Sequence, residues 1–188
     1  MLNVLLIESN VDNTLLENSL NGYGFSCLKT PYSALFEQVK ENKPDVLIFN
    51  LDSPTEKILS DLHSLNQQSP LPVVMFAADS TIDTINQAIK AEVSAFIVDA
   101  LAYKRLASII HVAIARFKQQ QSLKTALEAA RVQLEDRKQI DRAKAILIQT
   151  RNFTENEAYH TLRKLAMDRN ITLGEMAKNV IAMAELLK

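Results

Sequence analysis

The residues with chemical potential in this chain crowd into its last fifty positions, Gln139 to Lys188. Arg142, Lys144, Arg151, Tyr159 and Arg163 all fall there, inside patterns that read as short amphipathic helices. Tyr159 and Arg163 are four apart and share one face of a helix, with Ala166 and Asn170 continuing that stripe. An aromatic ring beside guanidinium groups suits unstacked nucleic-acid bases, which stack on Tyr or Arg while Lys and Arg hold phosphates. If the helices that carry them pack antiparallel, these five residues converge on one polyanion-binding surface. Each has a plainer reading as well. Tyr159 suits a half-buried core position with its hydroxyl outward, Arg142 and Lys144 suit a solvated helix face, and Arg163 suits a pair with an acid such as Glu155. Spacing does not choose RNA over DNA, because a helix-turn-helix reader also has three helices and basic residues. A helical tail that binds protein has the same outline.

The rest of the chain is poor in reactive groups. His63, His111 and His160 are far apart and lack metal-ligand spacing. Gly22-Tyr23-Gly24 reads as a turn, and no glycine-rich phosphate loop follows a strand pattern. Asp79-Ser80 reads as a helix cap. An enzyme is not expected, nor a cofactor or a metal site. The single cysteine, Cys27, excludes an internal disulfide and suits a small apolar position in a strand. The opening Met1 to Glu8 is too short and acidic for a signal peptide, and no apolar run has the length of a membrane span. These features predict a cytoplasmic protein.

Charge divides the chain. Residues 1–103 hold five Lys, no Arg and 13 acids, a net of −8; residues 104–188 hold all eight Arg and a net of +7. A reversal this sharp marks two parts with different partners.

Short apolar runs alternate with amphipathic stretches in the first hundred residues. Val4–Ile7, Phe25–Lys29, Val46–Phe49, Val73–Phe76 and Ala95–Val98 read as strands. Helical patterns lie near residues 12–21, 32–41, 55–66 and 81–91. Near-continuous apolar strands separated by helices predict a parallel sheet covered on both faces. Five such units give a flavodoxin-like α/β fold, whose functional edge is the carboxyl end of the strands. Beyond Leu101 the pattern is helical, and neither Gly nor Pro occurs between Pro72 and Gly174. Leu123, Leu127, Ala130 and Leu134 are spaced 4, 3, 4, a short coiled-coil seam for dimerisation. A helix packing on the first domain would use the same residues. Ile140, Ala143 and Leu147 then face a core, and Arg151-Asn152-Phe153 breaks the helix. Thr154 to Glu157 and Thr172 to Glu175 are capping boxes that open two more helices. The expected domains are 1–117, a linker helix over 118–138, and an all-α three-helix module over 139–188.

Residues 1–117 resemble a response-regulator receiver. The resemblance implies a phosphate-accepting Asp at the end of the third strand, an acid pair for magnesium after the first, a Thr or Ser after the fourth and a Lys after the fifth. Here those positions fall on Asn50, on Glu8 and Ser9, on Ala77 and on Asp99. An amide does not form an acyl phosphate, and Ser9 removes oxygen charge from the metal pocket. Asp52 is acidic but stands two residues before Pro54, where the pattern asks for four. The reading is a pseudo-receiver that neither takes up phosphate nor switches through it.

The stretch from Ile140 to Met167 resembles the ANTAR RNA-binding module. Ala143-Lys144-Ala145-Ile146-Leu147-Ile148, Glu155-Asn156-Glu157-Ala158-Tyr159 and Leu162-Arg163-Lys164-Leu165-Ala166 carry the likeness. Ala145 replaces the usual Gly and Ile148 the usual Met; both suit a helix interior. Asp52-Ser53-Pro54, Val93 to Asp99, Ala113 to Phe117 and Met183 to Leu187 extend the resemblance to the NasT-type nitrate/nitrite-response antiterminators, with the AmiR-like amide regulators as the nearest alternative. That resemblance implies a homodimer that binds paired leader-RNA hairpins. It also implies control by a cytoplasmic nitrate/nitrite sensor protein of the periplasmic-binding type.

Overall fold

The computed structural model describes residues 1–8, 14–79, 81–98 and 105–186. Ser9, Ser80, Asp99, Leu187 and the expected helix start at residue 12 lie outside the described residues. The chain divides into two compact units, Met1–Gln121 and Ser122–Lys188.

In the first unit β1 (Asn3–Glu8), β2 (Ser26–Thr30), β3 (Val46–Leu51), β4 (Val73–Ala77) and β5 (Ala95–Ile97) form one sheet in the order β2-β1-β3-β4-β5, every neighbour parallel. The crossovers carry α1 (Leu15–Gly22), α2 (Leu35–Asn42), α3 (Glu56–Gln68) and α4 (Ile82–Lys90). Successive side chains of a strand point to opposite faces, and both faces here are apolar. Leu5, Ile7, Leu47, Phe49, Val73 and Met75 pack beneath α2, α3 and α4. Val4, Leu6, Val46, Ile48, Val74 and Phe76 pack on the other side beneath α1 and the start of α5 (Leu106–Arg151), through Leu106, Ile110 and Ala113. That is why the strand sequences run nearly unbroken in apolar residues. Cys27 sits partly buried in β2, and burial with Glu17 and Glu8 nearby pushes its thiol up to about 12, so it stays protonated. The cap of α4 is a correction: Thr81, not Asp79-Ser80, accepts the Thr84 amide, and Asp79 braces it by accepting from the Thr81 amide and the Thr84 hydroxyl.

The second unit is helical. It contains α5 from Ser122 onward, α6 (Glu155–Asp168) and α7 (Leu173–Leu186). α5 ends at Arg151, and Asn152 turns the chain in the left-handed region at φ 55°. Thr154 then caps α6: its hydroxyl accepts the Glu157 amide while the Glu157 carboxylate accepts the Thr154 amide. Thr172 and Glu175 repeat the arrangement at α7. These hydrogen bonds hold both glutamate carboxyls below the usual range. A depressed carboxyl stabilises the fold above its unfolded-state value and ceases to as pH falls, so both caps weaken on acidification. Ala143, Leu162, Ala166, Met176, Ala177 and Ile181 form the core.

Gly174, in the first turn of α7, is buried against α5. A Cβ there would lie 2.4 Å from the Asp136 carboxyl group, which pairs with Lys178 at 3.5 Å. Helix propensity alone favours Ala over Gly by about 1 kcal/mol. Gly174→Ala is therefore expected to gain clearly less than that in the otherwise native chain, because Asp136 must swing away and give up Lys178. In an Asp136→Ala background the same change should stabilise by up to about 1 kcal/mol. Urea denaturation of the four proteins of this cycle measures the difference, and equal effects in both backgrounds would refute the clash.

Candidate nucleic-acid interface

Two places hold the polar groups singled out by the sequence. The first is the carboxyl edge of the sheet. Glu8 and Asn50 are register partners across β1 and β3, and Ala77 lies beside Leu51 at the end of β4. Asn50 Nδ2 donates to Glu8 Oε1 at 2.7 Å. Lys29 Nζ, from β2, stands 2.6 Å from Glu8 Oε2. The Glu8 side chain is 1% exposed and that of Lys29 16%. A carboxylate this deep needs a counter-charge and hydrogen bonds, and the chain supplies both. Ala77 is buried and offers only a methyl group. Asp52 is exposed beyond β3; its carbonyl accepts the amides of Ala78 and Asp79. Ser53 donates to Asp79 at 3.2 Å. Asp79 lies below the usual carboxyl range, chiefly through the Thr81 amide and then the Thr84 hydroxyl.

Lys29 was invisible to the motif comparison. It belongs to the poorest strand pattern and stands 21 residues from Glu8 along the chain. Its signal was a charge inside a β2 segment whose neighbours alternate in burial.

The second place is the helical unit. The five expected contact residues differ in their partners. Arg142 Nη2 reaches across to α7 and pairs with Glu185 at 3.1 Å. Lys144 lies on the flank of α5 that faces the start of α6, between Asp141 at 2.7 Å and Glu155 at 2.9 Å. Its ammonium is held above the usual lysine range, first by the Asp141 hydrogen bond and then by Glu155. Glu155 thus engages Lys144 and not Arg163. Arg151 and Arg163 are exposed and make no ion pair among the described residues. Tyr159 is exposed, with its ring edge-on to His160 at a centroid distance of 6.1 Å. Tyr159 and Arg163 share an outward stripe of α6 as their spacing requires. Ala166 lies in the core with Ala158 and Leu162, the apolar face of α6, and so leaves the Tyr159–Arg163 stripe; the exposed side chain next along from Arg163 is Met167.

The seam residues Leu123, Leu127 and Leu134 are each more than half exposed, and Ala130 is exposed beside them. An aliphatic stripe of this kind on a solvated helix is what a coiled-coil partner buries.

Residues 128–181 match the family model of the ANTAR domain. The Transcriptional regulatory protein PdtaR of Mycobacterium tuberculosis is 27% identical over 145 residues, which cover 77% of this chain and 71% of that protein. A Nitrate regulatory protein of Klebsiella oxytoca is 35% identical over 66 residues, 35% of this chain and 17% of that one. In fold, the chain is similar to a response regulator from Thermotoga maritima, with a TM-score of 0.55 and 17% identity. That alignment covers 61% of this chain and 98% of the other. It is similar also to the signal receiver domain of a Luxo repressor protein from Vibrio parahaemolyticus, with a TM-score of 0.54 and 19% identity over 65% of this chain and 96% of that one. The chain thus joins a receiver-like α/β fold to an ANTAR domain. Its curated relatives are regulatory proteins, and no described helix is long and apolar enough to cross a membrane.

The Lys29 contact generates a test. Lys29→Met strands the Glu8 carboxylate in the sheet edge and is expected to cost about 3 kcal/mol of unfolding free energy. The double variant Lys29→Met with Glu8→Gln should recover most of that loss, since a neutral amide needs no counter-charge. Chemical denaturation reads both, and a neutral single variant would show the pair to be immaterial.

Proposed function

We propose that this protein is an RNA-binding transcription antiterminator of the NasT type. It acts on leader-RNA hairpins of a nitrate/nitrite assimilation operon and is governed by a partner protein, not by phosphate. One observation carries the RNA reading: within the ANTAR domain, an exposed Tyr159 and an unengaged Arg163 stand on one stripe of α6. A ring with a free face and a guanidinium beside it suit a splayed loop base and its phosphate. Arg151 adds a second unengaged cation, while Arg142 and Lys144 reach a phosphate only by loosening their carboxylate partners.

The sheet edge supports control by a partner. With Asn50 at the acceptor position and Glu8 held by Lys29, the edge has neither a carboxylate to phosphorylate at position 50 nor a free one at position 8 to hold a cation. The sensor is a cytoplasmic nitrate/nitrite-binding protein of the periplasmic-binding type, met by the acidic front half of this cytoplasmic regulator. The seam Leu123, Leu127, Ala130 and Leu134 pairs two copies, so that one dimer takes two hairpins; such linkage raises avidity by about 10²–10⁴. An AmiR-like antiterminator of another operon has the same parts, and a DNA-binding regulator is the reading the experiment must reject.

Tyr159→Ala and Arg163→Ala are each expected to lower affinity for a two-hairpin leader RNA of a nitrate-assimilation operon by at least about tenfold in a gel shift, with the helical circular-dichroism signal unchanged. Duplex DNA should not compete at the same salt. Native affinity in both variants would reject this surface. Incubation with acetyl phosphate and magnesium should leave the intact mass unchanged, and an added phosphoryl group would reject the silent receiver.

A further inference from the structure

A cavity of about 510 Å³ opens between the last turns of α5 and the end of α7. Its floor is aliphatic: Ile146 and Leu147 from α5, Val180 and Ala184 from α7. Its rim is polar and carries Arg142, Arg151 and Glu185. The volume falls in the range of small-ligand sites, which pair an apolar lining with a few placed polar groups. The Tyr159–Arg163 stripe does not contribute to it.

We infer that this cavity receives a single unstacked nucleobase of the bound RNA loop, with the phosphate beside that base held by Arg151. The inference rests on the RNA-binding reading above and adds a second contact site to it. The rim chooses the occupant. Arg142 and Glu185 form an ion pair at 3.1 Å, and both side chains are more than half exposed. An aliphatic anchor from a protein partner would cover that pair without replacing its water, at a desolvation cost. The edge of a base sets a hydrogen-bond acceptor next to a donor. Arg142 keeps further N–H groups beyond the one given to Glu185, and the carboxylate keeps free lone pairs, so the pair and a base edge satisfy each other. The planar face of the base then covers the aliphatic floor. Arg151 makes no ion pair among the described residues and stands at the mouth, where a phosphate needs a cation.

The experiment uses the full chain and a hairpin RNA selected by it from a pool with a randomised loop. The selected hairpin is then remade with an abasic site at each loop position in turn. One position is expected to cost the native protein about tenfold or more in affinity. Ala184→Phe, which fills the cavity, should cost as much on the intact hairpin and lose nothing further at that abasic position. Glu185→Ala, an exposed change that leaves the core alone, should weaken the intact hairpin but not the hairpin abasic at that position. If Ala184→Phe does not fold, Glu185→Ala decides alone. A folded Ala184→Phe that binds like the native protein, while Tyr159→Ala does not, overturns the cavity and leaves the RNA reading standing. Failure of the native chain to select any hairpin overturns both. A change in the sedimentation of RNA-free Ala184→Phe would hand the cavity to a second copy of the chain and overturn the base.

Discussion

A helix can bury only what its apolar stripe covers, and α5 has to supply three such stripes from one run of 46 residues. Leu106, Ile110 and Ala113 close one face of the sheet. Leu123, Leu127, Ala130 and Leu134 stay in solvent, and Ile140, Ala143 and Leu147 join the core of the helical unit. At about 100° per residue these stripes fall on three different faces of the helix. Summed along the whole helix the apolar directions cancel, although each segment is strongly one-sided. Each change of face relieves the next segment of the previous partner. That leaves the leucines of the middle segment without cover in a single chain, and the regulatory reading depends on this segment as much as on the module it leads to.

How much of this was legible depended on the range of each signal. Strand positions, strand type, the break at Arg151-Asn152-Phe153 and both capping boxes follow from residues within a few positions of one another, and all of them stand in the structure. The side-chain partners do not have that property. Glu185 meets Arg142 across 43 residues and Lys29 meets Glu8 across β1 and β2. Both are long side chains whose reach, not their sequence neighbourhood, decides what they touch. Ala166 shows a subtler limit. It sits seven residues from Tyr159, close enough in angle to be counted on the same stripe, yet small and apolar enough to turn inward. A helix face is a gradient, and its border is set by the neighbour it packs against.

The sheet edge joins three polar side chains from three neighbouring strands. Asn50 keeps the size of an aspartate and exchanges one acceptor for a donor, which turns toward the one carboxylate left nearby. Lys29 stands where the charge of the Glu8 carboxylate has to be balanced. The result is a closed polar triad at the place where a doubly wound fold ordinarily meets its ligand. Under the proposed function, instruction would come by contact of another protein with the exterior of that unit.

The charge arrangement of the helical unit bears on how it would hold RNA under the proposed function. Of the five basic or aromatic residues first singled out, Arg142 and Lys144 already have carboxylate partners. Phosphate contact by these two is an exchange of one anion for another, and its net gain is small. Only Arg151 and Arg163 enter as unengaged cations. Each neutralised phosphate of a single-stranded segment adds about 0.7 to the salt slope of binding, so these two alone would contribute about 1.4. Under the proposed function, part of the affinity would come from groups that salt does not screen: the Tyr159 ring, apolar surface near the module core, and the pairing of two copies. A module built this way discriminates by which bases it can unstack. Under the proposed function, a partner that governed pairing along α5 would govern RNA binding without touching the RNA surface.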